Sequence, residues 1–108
     1  NGKIDWKKSA ESIERQIRAF SSWPTSFTFW EKSGKLIQVK ILKAKVSDSS
    51  SDNSHSPGQT IKISPKEIGV QCGKGILIVE RLQKEGGKEL SSEEFLRGHK
   101  EFINQILN

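Results

Sequence analysis

Few side chains of this sequence have the types and spacing that catalysis requires. His55 lies in a serine-rich segment and His99 near the end of the chain, and neither has a second metal ligand at a useful spacing. Glu93 and Glu94 are expected at the start of a helix, where negative charge is favourable without any acid–base role. These residues therefore indicate no catalytic or metal site.

Cys72 and the glycine-rich stretches are equally unpromising as reactive sites. Cys72 is the single cysteine, so an internal disulfide is excluded. It falls on the inward side of a predicted strand, which favours a small core residue over a nucleophile. The stretches QCGKGI and EGGKE lead into strand and turn rather than into a helix start, and this does not resemble a phosphate-binding loop.

Positive charge is the feature that suggests a function. The 108 residues carry 18 basic and 13 acidic side chains, a net charge of +5. Residues 32–79 hold eight lysines against three carboxylates, whereas the flanking segments are nearly neutral. An uneven distribution of this kind can create a face that attracts a polyanion. The alternative is a solvated lysine-rich surface.

The three tryptophans, Trp6, Trp23 and Trp30, lie outside the lysine-rich segment. Aromatic rings can stack on unpaired bases. Without lysines interleaved among them, packing in the core or against a helix is favoured. A nucleic-acid ligand would then be held through its phosphates, as a folded RNA or a duplex recognised by shape.

The first element is predicted to be a helix, with Ser9 or Asp5 as its N-cap. Its apolar residues recur at spacings of three and four, at Ala10, Ile13, Ile17 and Phe20. The helix must end before Trp23, because the residue before Pro24 is pushed towards extended geometry. We expect Trp23 to wedge between this helix and the following sheet.

Five short strands follow, and their sequences are TSFTFW, LIQVKILKAKV, QTIKIS, KEIGVQCG and KGILIVERLQ. The first two are joined by a hairpin turn with Gly34 at its tip. The last is apolar on both faces and is expected at the centre of the sheet. Residues 47–58 contain no apolar anchor, and they are predicted to form a flexible serine-rich loop.

The second strand changes its inward phase part-way along. The inward apolar residues are first Ile37, Val39 and Ile41, and then Leu42, Ala44 and Val46. This one-residue slip predicts a bulge near Ile41, which would bend the strand. It leaves three lysines facing outward: Lys40, Lys43 and Lys45.

The C-terminal part is predicted to be helical. Ser91 and Glu94 match a capping box at the start of SSEEFL. Beyond His99, a last amphipathic face is offered by Phe102, Ile103, Ile106 and Leu107. The expected fold is mainly β with flanking helices: an OB-fold-like five-stranded antiparallel barrel, an N-terminal helix and a C-terminal helical tail, with residues 1–108 as a single domain.

Two blocks of the sequence resemble the C-terminal domain of methionyl-tRNA formyltransferases. GKIDWKKSAESIERQIRAF followed by WP is similar to the start of that domain, and GILIVERLQKEGGKELSSEEFLRGH is similar to its end. A variable loop followed by PGQTI separates the blocks, as in the family. The resemblance covers nearly the whole chain. The absence of methionine adds the expectation that the sequence is a fragment of a longer protein.

The resemblance implies a function that composition does not show. The whole enzyme would transfer a formyl group from 10-formyltetrahydrofolate to initiator methionyl-tRNA in translation initiation. A missing N-terminal Rossmann-like domain would bind the folate and carry the catalytic residues. The fragment itself would bind no cofactor or metal, and it would help to position the tRNA with a basic surface. We expect a cytoplasmic monomer without membrane contact.

We predict the phosphate contacts to lie on the outward lysines of the second strand and on further cations around the barrel. The full set is Lys35, Lys40, Lys43, Lys45, Lys62, Lys74, Arg81 and Lys88. Two alternatives remain open at this point. One is a scaffold domain of a formyltetrahydrofolate hydrolase or dehydrogenase, or of a nucleotide-sugar formyltransferase. The other is a stand-alone nucleic-acid-binding barrel.

The sequence departs from the family pattern at several places. The family often has two lysines in the turn before the last helix, where this chain has Lys88 and Glu89. Leu90 occupies a position where methionine is common in the family, and SSWP occupies the place of an Asn-Pro-Trp-Pro type sequence. The tail after His99 carries no family signature, so no function is assigned to it.

Overall fold

The computed structural model describes residues 2–20, 25–48 and 53–108. Its elements, in chain order, are α1 (Ala10–Ala19), β1 (Phe27–Lys32), β2 (Lys35–Val46), β3 (Thr60–Ser64), β4 (Glu67–Gln71), β5 (Ile76–Lys84), β6 (Leu90–Ser91), α2 (Ser92–Gly98) and a 3₁₀ helix (Lys100–Phe102). The strands pair antiparallel in the order β1-β2-β5-β4-β3, and β6 adds to β5. The sheet curls into a half-barrel, which confirms the predicted fold class.

Helix α1 begins where the sequence predicts. The Ser9 hydroxyl accepts a hydrogen bond from the Ser12 amide at 3.1 Å, as an N-cap does. Ala10, Ile13 and Ile17 are buried on the face that packs against the sheet. The predicted wedge at Trp23 lies outside the described residues.

The bulge in β2 is confirmed, and β5 carries a matching one. The register passes from Ile41 opposite Leu82 to Lys43 opposite Arg81, and then to Ala44 opposite Val79. Leu42 and Glu80 are therefore extra residues on their strands, one on each. Both strands change their inward phase together, so Lys43 and Arg81 project outward while their neighbours continue to fill the core.

The predicted central position of β5 is also confirmed, since it lies between β2 and β4. Leu77, Val79 and Leu82 belong to the main core, whereas Ile76 and Ile78 are buried outside that cluster. On the same side of the sheet as Ile76, Gly69 leaves room for the Ile63 side chain, since a Cβ atom at Gly69 would lie 2.8 Å from it.

Aromatic side chains join α2 to the sheet. Trp30 packs edge-on against Phe102 and Phe95, with ring centroids 5.0 and 6.2 Å apart. Trp6 is buried as well, and its indole donates to the Thr28 hydroxyl at 2.9 Å. The core assignment of these two tryptophans is therefore confirmed.

The last residues differ from the predicted amphipathic helix. Helical structure ends after the 3₁₀ turn, because Asn104 adopts a left-handed conformation with φ of 65°. The following residues are extended, and Ile106, expected on an inward face, is 51% exposed. The spacing of three and four in this segment is thus not produced by a helix.

The extended tail joins the two edges of the half-barrel. On the β3 side, Thr60 donates to Gln105 and Leu107 donates to Gly58, at 2.8 and 2.9 Å. On the β1 side, Phe29 and Asn108 exchange a pair of backbone hydrogen bonds of 2.8 and 3.0 Å. The tail therefore satisfies backbone groups that would otherwise be left open at both edges.

The flexibility of the 47–58 loop stays a prediction. Within its described part, the Gly75 amide donates to the Asn53 side chain at 3.2 Å, and the Gly58 amide donates to the Gln71 carbonyl at 2.8 Å.

Among the described residues, no helix has the length and apolar content that a membrane-spanning helix requires.

Candidate nucleic-acid interface

The outer face of β2 and β5 gathers several of the predicted cations. Lys40, Lys43 and Lys45 are all exposed, as the bulge requires. Across the ladder, Lys43 lies opposite Arg81, and Lys40 lies opposite Gln83. Side chains that face each other in this way share one face of the sheet. We name the surface of Lys40, Lys43, Lys45 and Arg81 the β2–β5 face.

Two cations of this face are partly neutralised. The Arg81 guanidinium bonds the Glu89 carboxylate, and Lys45 lies 3.8 Å from a carboxylate oxygen of Glu67. Among the described residues, neither Lys40 nor Lys43 forms an ion pair. Lys40 and Lys43 are therefore the cations of this face whose charge is most available to a ligand.

The other four predicted residues lie elsewhere. Lys35 lies opposite Lys32 in the strand ladder beside the β1–β2 turn, and Lys88 lies in the turn between β5 and β6. Lys74 lies in the β4–β5 turn, where its carbonyl accepts from the first amide of α1 at 2.9 Å. Lys62 is on β3, at the opposite edge of the sheet from β1. The predicted set is thus divided between one shared face and scattered positions.

Two cations that the sequence reasoning passed over, Arg97 and Lys100, line a groove together with Lys62. Arg97 is in the last turn of α2 and Lys100 begins the 3₁₀ helix, and their spacing of three residues was the available signal. It carried no information about Lys62, because β3 is distant in the chain.

Reactive side chains show no catalytic arrangement among the described residues. Burial raises the pKa of the Cys72 thiol to about 12, so it stays protonated and acts as a core residue, which confirms that prediction. The His99 ring packs against Phe95 and Trp30, with centroids 4.7 and 5.8 Å apart. Hydrogen bonds from Ser91 lower the pKa of the Glu94 carboxyl, as expected of a capping box. No metal-binding cluster of these side chains occurs within residues 2–20, 25–48 and 53–108.

Comparison with known protein families identifies the family of this domain. The model of the formyl transferase C-terminal domain family matches residues 1–100. The chain belongs to this family. The resemblance that the two sequence blocks indicate is thereby confirmed, and residues 101–108, which include the extended tail, lie beyond the match.

Curated relatives carry a more specific name. Methionyl-tRNA formyltransferase from Clostridium novyi is 38% identical over 104 residues, which cover 96% of this chain and 32% of the relative. The enzyme of the same name from Rickettsia bellii is 40% identical over 107 residues, covering 97% of this chain and 32% of the relative. The chain thus spans about a third of the length of these relatives.

A solved structure shares the fold of this family member. HypX from Aquifex aeolicus, crystallised as a variant, superposes with a TM-score of 0.68 over 93% of this chain and 17% of its own length. At 17% sequence identity, this likeness concerns the fold alone.

Glu89 has a direct electrostatic consequence for the β2–β5 face. It lies in the turn between β5 and β6, and its carboxylate pairs with Arg81. Glu89 therefore neutralises one cation of the face. Both side chains are about half exposed, so the pair contributes little to stability, about 0–1 kcal/mol.

Proposed function

We propose that the longer protein containing this chain formylates initiator methionyl-tRNA with 10-formyltetrahydrofolate, in the cytoplasm, as a step of translation initiation. Support comes from the family match and from relatives named methionyl-tRNA formyltransferase. The formyl-donor site and the catalytic residues would lie in the N-terminal two thirds of the relatives' length, which this chain does not span. The protein would act as a monomer.

In this proposal the present domain binds the tRNA and orients it towards the catalytic domain. The observation that carries this role is the β2–β5 face, where Lys40, Lys43 and Arg81 project from two adjacent strands. Exposed ammonium and guanidinium groups that project from a β-sheet can contact the phosphates of a folded RNA. No aromatic residue is needed there, because such recognition reads backbone shape rather than bases.

The test reverses two charges of the face in the longer protein. Lys43→Glu combined with Lys45→Glu should weaken initiator-tRNA binding. It should also make the dependence of log K on log salt less steep by about 0.9 for each phosphate that is no longer bound. Lys7→Glu combined with Lys8→Glu is the matched control, because it makes the same charge change at two exposed lysines before α1.

The same binding measurements separate the proposal from its main rival. If the β2–β5 double variant keeps its tRNA affinity and salt slope, the face does not bind tRNA. The domain would then serve as a scaffold, as in the hydrolase, dehydrogenase or sugar-nucleotide alternatives. Thermal unfolding of both variants shows whether any loss of binding comes from unfolding.

A further inference from the structure

A groove of about 370 Å³ runs between β3 and the segment formed by α2 and the 3₁₀ helix. Three cations line it: Lys62 from β3, Arg97 from the last turn of α2, and Lys100 from the 3₁₀ helix. Among the described residues, none of the three forms an ion pair. Their charges are therefore available to an anionic ligand.

The groove also has an apolar lining. Leu96 is almost fully buried, Ile103 is half-buried, and Pro65 is exposed where β3 ends. Aliphatic surface of this kind can pack against the flat face of a base, and both surfaces are then removed from water. A bare phosphate would leave this lining unused.

Glu93 is the one carboxylate in the groove, and it restricts the choice of anion. A ligand that brings one negative charge is therefore favoured over an acidic peptide that brings several carboxylates into the groove. Glu93 can also accept hydrogen bonds from the hydroxyl groups of a ribose, and the 2′-hydroxyl is the group that distinguishes RNA from DNA. Cations, an apolar surface and one hydroxyl acceptor together match the phosphate, base and sugar of a ribonucleotide.

The groove is distinct from the β2–β5 face. Lys62 lies opposite Ile68, whose side chain belongs to the main core, so Lys62 is on the inner face of the sheet, whereas Lys43 and Arg81 project from the outer face. The two sites therefore do not compete for one phosphate of the RNA.

We propose that the groove binds one unpaired ribonucleotide of the RNA, with its phosphate at Lys62, Arg97 and Lys100, its base on Pro65 and Ile103, and its ribose at Glu93. This inference rests on the proposed function, because it extends the RNA contact of the same domain. It assigns base and sugar contacts to a region for which the sequence predicted only a phosphate contact at Lys62.

The test uses the whole chain with fluorescein-labelled tetra-adenylate as RNA and as DNA, at about 50 mM salt. The RNA should bind more tightly than the DNA. Arg97→Glu and Lys62→Glu, on opposite walls, should each weaken RNA binding by about tenfold or more, whereas the control Lys8→Glu should leave it unchanged. Glu93→Gln should reduce the preference for RNA over DNA.

Several results would overturn the inference. They are the absence of measurable tetra-adenylate binding, equal weakening by Lys8→Glu, an RNA preference that Glu93→Gln leaves intact, and tighter binding of an acidic decapeptide than of the RNA. Circular dichroism identifies a variant that fails to fold. If either Lys62→Glu or Arg97→Glu fails to fold, the other variant, on the opposite wall of the groove, is used to test the inference. Binding of intact tRNA that depends on Lys43 but not on Lys62 would leave the proposed function standing while refuting the groove.

Discussion

Glu89 offers the sharpest perturbation of the β2–β5 face, because one substitution changes two cations. Glu89→Lys removes the carboxylate that bonds Arg81 and places a second lysine beside Lys88. If Arg81 and the new lysine both reach phosphates, the salt dependence of tRNA binding should steepen by about 1.8, at about 0.9 for each phosphate bound. Between 50 and 200 mM salt, this corresponds to an additional loss of affinity of about twelvefold.

A graded series makes this magnitude decisive. Glu89→Gln frees Arg81 without adding a charge, so the slope should steepen by about half as much, roughly 0.9. Glu31→Lys is the matched control, since Glu31 is exposed near the far end of β1, opposite Leu36 and four residues along the strand from the partner of Lys40, and its substitution changes the net charge equally. The Glu89–Arg81 pair is exposed, so all three variants should unfold within about 1 kcal/mol of the parent.

The assay is filter binding or fluorescence titration of initiator tRNA to the longer protein at four or more salt concentrations. The reasoning is refuted if the slope of Glu89→Lys matches that of the parent. It is equally refuted if Glu31→Lys steepens the slope as much, since the effect would then follow net charge and not position.

Three further predictions concern stability. Gly73→Ala should destabilise the fold by about 3 kcal/mol or more in urea unfolding, because its Cβ atom would lie 1.8 Å from the Lys7 carbonyl oxygen; Gly98→Ala, with open space around it, should be neutral or better. Thr60→Val should cost about 1–3 kcal/mol, since the buried hydroxyl donates to the Phe102 carbonyl at 2.6 Å and accepts from the Gln105 amide at 2.9 Å; an unchanged midpoint would show that these two hydrogen bonds do not stabilise the fold. The pKa of the Glu94 carboxyl is lowered from its ordinary value of 4.5, so this group stabilises the fold above about pH 4.5 and loses that contribution as pH falls through the lowered pKa. Glu94→Gln should therefore lose less stability than the parent between about pH 5 and pH 3. Equal losses in the two proteins would contradict this.

Much of the fold could be predicted because the relevant signals are local. The change of phase at Ile41 revealed the bulge in β2, and the capping residues marked both helix starts. The bulge in β5 gave no comparable signal, because the residues before Glu80, from Ile76 to Val79, are apolar on both faces and show no alternation that a slip could interrupt. The tail misled for a different reason. Its spacing fits a helix, but the left-handed turn at Asn104 and the open strand edges favour an extended path.

The candidate site could be predicted only in part. Alternation along β2 was enough to place Lys40 and Lys43 on the outer face. The neutralisation of Arg81 depends on the turn that brings Glu89 beside it, and sequence spacing does not determine that geometry. The grouping of Lys62 with Arg97 likewise depends on how α2 packs beside β3.

Lysine footprinting tests the role of the β2–β5 face most directly. The longer protein is acetylated briefly with and without saturating initiator tRNA, and the modified lysines are quantified by mass spectrometry. Lys40 and Lys43 should be protected by the tRNA, while Lys7 and Lys8 keep their reactivity. Equal acetylation of Lys40 and Lys43 in the free and bound protein would contradict the proposed role of this domain.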